Sequence, residues 1–349
     1  MTKLGIIVRA DLGSGLQSQS YNLTRMLKPD RVLIVNSKPF NGAQQYPEMY
    51  EGFESFTSNG FPTNLDSARF MKNLTHVLTA ETMYNNKMYE IGRLRGIKTY
   101  TQTNWEFNDH IKNPRLPKPT TWLMPSHWHL EEMQSIHPNT VYLPPPIFMN
   151  DFKEARNANL SRDGKRRFVH IIGKAASHDR NGTFDVIDAL KHTNVDFELV
   201  IRSQYEVPEY QNLMNDNRIK LEIGNKEDQE ELYKDFDAMI LPRRYGGLCL
   251  PVNEALSCGL PVIMTDVSPN NQILPKQWLV PAEVYSQFMA RTNIDIYKSD
   301  TMRLGKKIEE FVIMDNNKLL EYKTRAVNIA MDNYSHEVLK PKYHEIMGL

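Results

Sequence analysis

The sequence predicts an α/β protein built from two Rossmann-like, doubly wound domains facing across a cleft. Three features lead there. Short apolar runs alternate with helical periodicity through the first half, a proline-rich polar stretch interrupts the alternation, and the alternation then restarts. A chain of 349 residues is also long for a single hydrophobic core.

In the first half, residues 4–8 (LGIIV) read as a buried strand and DLGSGLQSQS as a glycine-bearing loop. Residues 17–27 have helical spacing, and 31–36 (RVLIVN) are a second strand. Further strands are expected at 76–80, 98–103 and 121–124. A helix is expected over 82–95, stopped by Gly96. The stretch 141–167 carries three consecutive prolines and then a polar, charged run, the composition of a linker. Beyond it, strands are predicted at 168–172, 197–201, 220–223, 238–241 and 261–265. Helices are predicted at 182–191, 228–236, 252–258, 304–312, 319–331 and 336–347. The expected domains are 1–147 and 148–331, with a terminal helix, 332–349, packing back onto the first.

Lys plus Arg (42) balance Asp plus Glu (42), so no global field draws the protein to nucleic acid or anionic lipid. Cys249 and Cys258 match no metal or redox spacing, which points to a reducing compartment. No signal-peptide pattern opens the sequence, and no apolar run reaches the roughly 18–20 residues of a membrane span. A cytoplasmic protein is the expectation.

In doubly wound sheets, ligands bind at the carboxyl ends of the strands. Three such loops carry candidate chemistry. In RADLGSGLQSQS, Gly13 and Gly15 allow close backbone approach, and the following helix offers amides to an anion; a tight turn with Ser capping the helix is the plainer reading. In IIGKAASHDRNGT, a strand ends at Gly173-Lys174 and Asn181-Gly182 opens a helix. Lys174 and Arg180 would bracket a diphosphate, or else be solvated loop cations. In LPRRYGGLCLPVNEALSCGLPVIMTD, Leu250 and Glu254 follow a two-glycine loop. Glu254, read as lying in the first turn of its helix, would either complement the helix dipole or accept hydrogen bonds from vicinal hydroxyls such as a ribose. Asp235-Phe236-Asp237 is an Asp-x-Asp, a metal-binding pattern elsewhere, but it sits at a helix end feeding a buried strand.

Together these segments resemble the retaining GT-B glycosyltransferases of the group 1, family 4-like class. IIGK…RNGTFDVIDAL is similar to the strand-loop-helix that opens that family's second domain, with Lys174 in place of an arginine and Arg180 or Asn181 near a lysine position. GGLCLPVNEALSCGLPVIMTD is similar over its whole length to the family's E-x7-E segment. The resemblance implies that Gly173, Lys174, Arg180, Asn181 and Leu250 surround a nucleoside diphosphate sugar and that Glu254 binds its ribose. It implies no metal and no cofactor. The first acid of the pattern, which contacts the transferred sugar, falls on Gly246. The histidine-aspartate pair expected after strand KTYTQT is also absent, leaving Asn104 and Glu106 as substitutes beside Trp105. Thr79-Ala80-Glu81 and Pro125-Ser126-His127 end strands on the same side and are candidates to line an acceptor cleft.

The expected activity is transfer from a nucleoside diphosphate sugar, a UDP-sugar first among them, to a hydroxyl acceptor with retention. Lys174, Arg180 and the Gly13–Gly15 amides would offset the leaving-group charge. Compact members also occur in phage genomes, so a hydroxymethylated DNA base is an alternative acceptor. The basic stretch 111–118, with Arg93, Arg95 and Lys98, is the candidate track. A catalytically degenerate nucleotide-sugar binding protein is the other alternative. A nicotinamide enzyme would need a G-x-G-x-x-G that is not present.

Overall fold

The structure, a computed structural model, describes residues 2–107, 113–173, 177–211, 215–226 and 228–349. It divides into two compact units, Met1–Pro146 with His336–Leu349, and Ile147–Ser335.

The first unit holds a parallel seven-stranded sheet of β1 (Leu4–Arg9), β2 (Arg31–Asn36), β3 (Ser55–Asn59), β4 (His76–Ala80), β5 (Lys98–Gln102), β6 (Thr121–Met124) and β7 (Thr140–Tyr142). Its order is β3-β2-β1-β4-β5-β6-β7. The central strands β1 and β4 are buried throughout, as near-continuous apolar runs in a helix-covered parallel sheet should be. The edge strands β3 and β7 lie outside the sequence-based expectation. SFTSN is mostly exposed and TVY is three residues long, so neither presents an apolar run. The helix expected over 82–95 spans Lys87–Arg95, and Gly96 closes it in the left-handed conformation at φ 68°. The terminal helix His336–Met347 belongs to this unit. Its buried Tyr343 hydroxyl donates to Pro144 O (3.0 Å) and accepts from Gln102 Nε2 (2.8 Å).

The second unit has a parallel six-stranded sheet of β8 (Arg167–Gly173), β9 (Glu198–Ser203), β10 (Ile219–Ile223), β11 (Ala238–Ile240), β12 (Val262–Thr265) and β13 (Leu279–Val280). Its order is β10-β9-β8-β11-β12-β13. An antiparallel hairpin follows, β14 (Ala282–Met289) with β15 (Asn293–Ser299). Sequence reading places nothing there, although Ile294 and Ile296 are buried.

Residues 228–236 do not form the expected helix. Only the short 3₁₀ turn Gln229–Leu232 is present. Asn159 pins the chain beyond it, donating to Tyr233 O (2.8 Å) and accepting from Phe236 N (3.0 Å), while Asp235 takes a positive φ of 66°. These tertiary bonds override a favourable local helix propensity.

Both sheets are doubly wound. The chain leaves β1 toward one edge and returns at β4 to build the other, and β8 and β11 stand in the same relation. The crevice outside the carboxyl ends of such a strand pair is where open α/β sheets bind ligands. Among the described residues no helix is long and apolar enough to cross a membrane.

Candidate functional site

In the second unit the two switch-point loops are those following β8 and β11. Gly173 ends β8 at φ 64°, a conformation that costs glycine little. Lys174 lies outside the described residues. The loop is then fixed from several directions. Asn181 Nδ2 donates to Ile171 O (3.0 Å) and Ile172 O (3.1 Å). Gly182, at φ 72°, lies so close to Pro242 that a Cβ there would collide with the Pro242 carbonyl. Beneath both loops, buried His170 joins Ile240 O (2.7 Å) to Thr183 Oγ1 (2.9 Å). Burial pushes its pKa down to about 4, so the imidazole is a neutral link.

The helix Thr183–Ala189 opens this segment, but its first amides are already engaged. Asp179 accepts from Thr183 N (2.8 Å), Phe184 N (3.0 Å) and Tyr210 Oη (2.8 Å). Burial raises this carboxyl above the usual carboxylate range despite those bonds. Two of this helix's first amides are therefore committed inside the fold.

Three arginines meet here, in different states. Arg244 Nη2 is 2.5 Å from Asp185 and 3.5 Å from Asp179. Asp185 in turn accepts from Ser299 N (3.0 Å) and Ser299 Oγ (2.7 Å), tying in the hairpin. Arg244 is thus neutralised inside the fold. Arg243, only 5% exposed, gives Nε to Tyr245 O (2.9 Å) and Nη1 to Leu248 O (3.0 Å), both uncharged acceptors. Arg180 lies over the Tyr245 ring at 5.1 Å. Its guanidinium and that of Arg243 converge on Gly246: a Cβ built there would be 2.6 Å from Arg243 Nη2 and closer still to Arg180 Nη2. Phe288 of the hairpin closes the cluster, its ring 4.7 Å from His178 and 5.0 Å from Tyr245.

Glu254 follows on the helix Leu250–Ser257. That helix begins two residues earlier than expected, with buried Leu250 as its first residue and no acid in its first turn. Glu254 lies a full turn in, so the dipole reading does not apply. It is 4% exposed, and its carboxylate accepts from Tyr233 Oη (2.5 Å) and from Gln229 Nε2. Burial raises its pKa to about 7, with the Tyr233 bond acting in the opposite direction. A buried carboxylate with two hydrogen-bonding neighbours is equipped to bind hydroxyl donors once one neighbour is displaced, and Gln229 is the exposed one.

In the first unit, Gly13 has φ 71° and its N–H donates to Gln17 Oε1 (3.0 Å). Ser14 caps the helix Gly15–Leu27 through Oγ and Gln17 N (3.1 Å). The loop is a capped turn after β1, at the switch point. Glu106 is buried in the turn Trp105–Phe107 after β5, next to half-buried Asn104. Trp105 is buried and stacks on His129 at 4.6 Å. Glu81 follows β4 in the left-handed conformation, Ser126 is buried, and His127 stacks on Tyr142 at 4.0 Å. Of the basic stretch 111–118, residues 111 and 112 lie outside the described residues, and Arg115 and Lys118 are exposed.

Asp237, the second acid of the Asp-x-Asp, is committed to Lys323 (2.8 Å), Arg162 (3.3 Å) and Arg167 N (2.9 Å) in the core. Sequence reading passed over Arg243, Tyr233 and Gln229. The Arg243-Arg244 pair before two glycines was a signal, but nothing local says which arginine the fold neutralises.

Residues 168–296, inside the second unit, match the family model described as Glycosyl transferases group 1. No curated protein matches the sequence. Among solved structures, the fold is similar to a glycosyltransferase from Rickettsia africae, with TM-score 0.72 at 15% identity, covering 99% of this chain and 98% of that one. It is similar to TarM, with TM-score 0.71 at 9% identity, covering 100% and 99%. It is also similar to Anabaena Alr3699/HepE in complex with UDP, with TM-score 0.70 at 12% identity, covering 99% and 100%.

Proposed function

We propose that the chain, whose residues 168–296 match the glycosyl transferases group 1 family model and whose fold is that of GT-B proteins, is a glycosyltransferase with a UDP-sugar as its donor. It transfers the sugar, with retention and without a metal, to a hydroxyl acceptor. The observation that carries the reading is one loop and helix, Gly246 to Ser257, that sets two guanidinium groups at its start and a buried carboxylate beyond them. Cations suit the diphosphate, and Glu254 suits a ribose diol. That structures similar in fold hold UDP favours uridine.

The acceptor oxygen bonds to the anomeric carbon as the bond from that carbon to the diphosphate oxygen breaks. The acceptor proton passes to the departing phosphate. Negative charge builds on the diphosphate, and Arg180 and Lys174 offset it, a contribution that grows toward the transition state. Glu254 holds the ribose and fixes the donor's register. Glu106, at a strand end of the first unit, is the acidic group assigned to the reacting centre, and the Gly13–Gly15 turn lies at that unit's switch point.

A donor screen tests this, reading released nucleoside diphosphate from UDP-, GDP- and ADP-sugars with separate pools of small-molecule, glycan, protein and hydroxymethylated DNA acceptors. UDP release that disappears in Glu254→Ala and Arg180→Ala is the expected result. Release confined to the DNA pool would make the acceptor a modified base. UDP binding without turnover in any pool would mark a nucleotide-sugar binding protein, and no binding at all would overturn the reading.

A further inference from the structure

We infer that the hairpin β14–β15 is a clamp on the loop after β8, and that Phe288 is the positioning residue through which it acts. The inference rests on the donor reading above, because the loop it holds carries Arg180.

That loop is strained. His178 (φ 60°, ψ 31°) and Asp179 (φ 49°) are two consecutive non-glycine residues in the left-handed conformation. Side-chain-bearing residues avoid this region, and two in succession persist only where the surroundings impose them. For Asp179 the restraint is its own buried carboxylate, which accepts from Thr183 N, Phe184 N and Tyr210 Oη. His178 is an exposed residue, and its restraint comes from the hairpin: the Phe288 ring lies 4.7 Å from the imidazole. The same ring meets Tyr245, in the loop after β11, at 5.0 Å.

The hairpin is anchored firmly enough to transmit that contact. It stands outside the six-stranded sheet as a two-stranded unit, and such a unit is stable only with one face packed. Ile294, the cross-strand partner of Phe288, is buried, as is Ile296. Near the tip a polar ladder fixes the strands, with Gln287 Nε2 donating to Asp295 (2.6 Å) and Asn293 Nδ2 to Gln287 (2.8 Å). The backbone then links the hairpin to both loops. Tyr297 N donates to Arg244 O (2.9 Å), and Arg244 N donates to Arg180 O (2.9 Å). At His178, two residues before Arg180, ring packing takes over from this backbone ladder.

Without the clamp, His178 relaxes toward ordinary backbone and fewer molecules hold Arg180 where the donor needs it. A ligand that reaches the loop loses affinity in proportion, whereas one that stops at the ribose does not. UDP and uridine make that distinction. Ligand-observed NMR titration of the full chain with each would compare the wild type with Phe288→Ala, Phe288→Tyr, His178→Ala, Met289→Ala and the Phe288→Ala/His178→Ala double variant, all checked by circular dichroism. Phe288→Ala and His178→Ala should each weaken UDP about tenfold or more, the competent fraction having fallen to about a tenth, and leave uridine within about twofold. The double variant should be no weaker than either single one, since both remove the same contact. Phe288→Tyr keeps the ring and should bind like the wild type, as should Met289→Ala, whose side chain is exposed. Folded Phe288→Ala protein that binds UDP like the wild type, or that loses uridine and UDP equally, overturns the inference and leaves the donor reading standing. A wild type that binds UDP no more tightly than uridine also overturns it, because the loop then meets no diphosphate. A wild type that binds neither removes both.

Discussion

Replacing Glu254 by Gln should stabilise the second unit above neutral pH while weakening donor binding. The isolated carboxyl titrates near 4.5, whereas burial brings Glu254 to about 7. Between those values the folded state binds a proton that the unfolded state does not. Stability therefore falls as pH rises from about 4.5 to 7 and levels off above. The difference corresponds to about 3 kcal/mol of penalty for the ionised form at pH 8, and almost none at pH 4. Glutamine keeps an acceptor for Tyr233 and can pair with a flipped Gln229, so it removes the penalty without opening a cavity. Urea denaturation followed by circular dichroism at pH 4.5 and pH 8 should show little change at the lower pH and a gain approaching 3 kcal/mol at the higher. UDP affinity should fall about 10- to 100-fold, the range expected when hydrogen bonds to a charged group are lost. In the wild type, UDP binding should weaken as pH drops below about 7, because the ribose is held by the ionised form. A gain equal at both pH values, or UDP binding unchanged in the variant, would refute the reasoning.

Gln229→Ala should tighten UDP binding a few-fold, since the exposed amide competes for Glu254; titration calorimetry would read it, and a weakened complex would make Gln229 a ligand instead. Gly182→Ala meets both a positive φ and the Pro242 carbonyl, so it should destabilise the second unit by about 2 kcal/mol or more and reduce turnover by displacing the arginine loop. Lys323→Met leaves buried Asp237 with Arg162 as its remaining cationic partner and should cost about 3 kcal/mol in denaturation, with UDP affinity unchanged below the transition.

The central strands were legible because burial on both faces leaves an apolar run that needs no partner to be recognised, as in LGIIV and HVLTA. The edge strands SFTSN and TVY leave no such trace, since one side of each meets solvent. The hairpin was missed for a related reason: Ile294 and Ile296 are buried and Phe288 packs on His178 and Tyr245, but Val284, Tyr285 and Met289 are exposed, which blurs the alternation. DQEELYKDF misled because its helical propensity is real, but Asn159, some 70 residues earlier, holds its carbonyl and amide in another arrangement.

The same division runs through the candidate site. The sequence by itself determined two doubly wound units, a strand-end loop bearing Arg180, and a carboxylate placed on the helix after a glycine turn. These are consequences of short-range periodicity and of glycine's backbone freedom, both readable within a dozen residues. Only the tertiary structure decided which loops share a switch point, because strand order is settled by pairing between distant segments. It alone decided that Arg244 is neutralised by Asp185 while Arg243 meets Arg180 at Gly246, and that Tyr233 and Gln229 hold Glu254 in a dry environment. Charge and solvation at a site depend on what lies within a few ångströms in space, and adjacency in the chain carries almost none of that information.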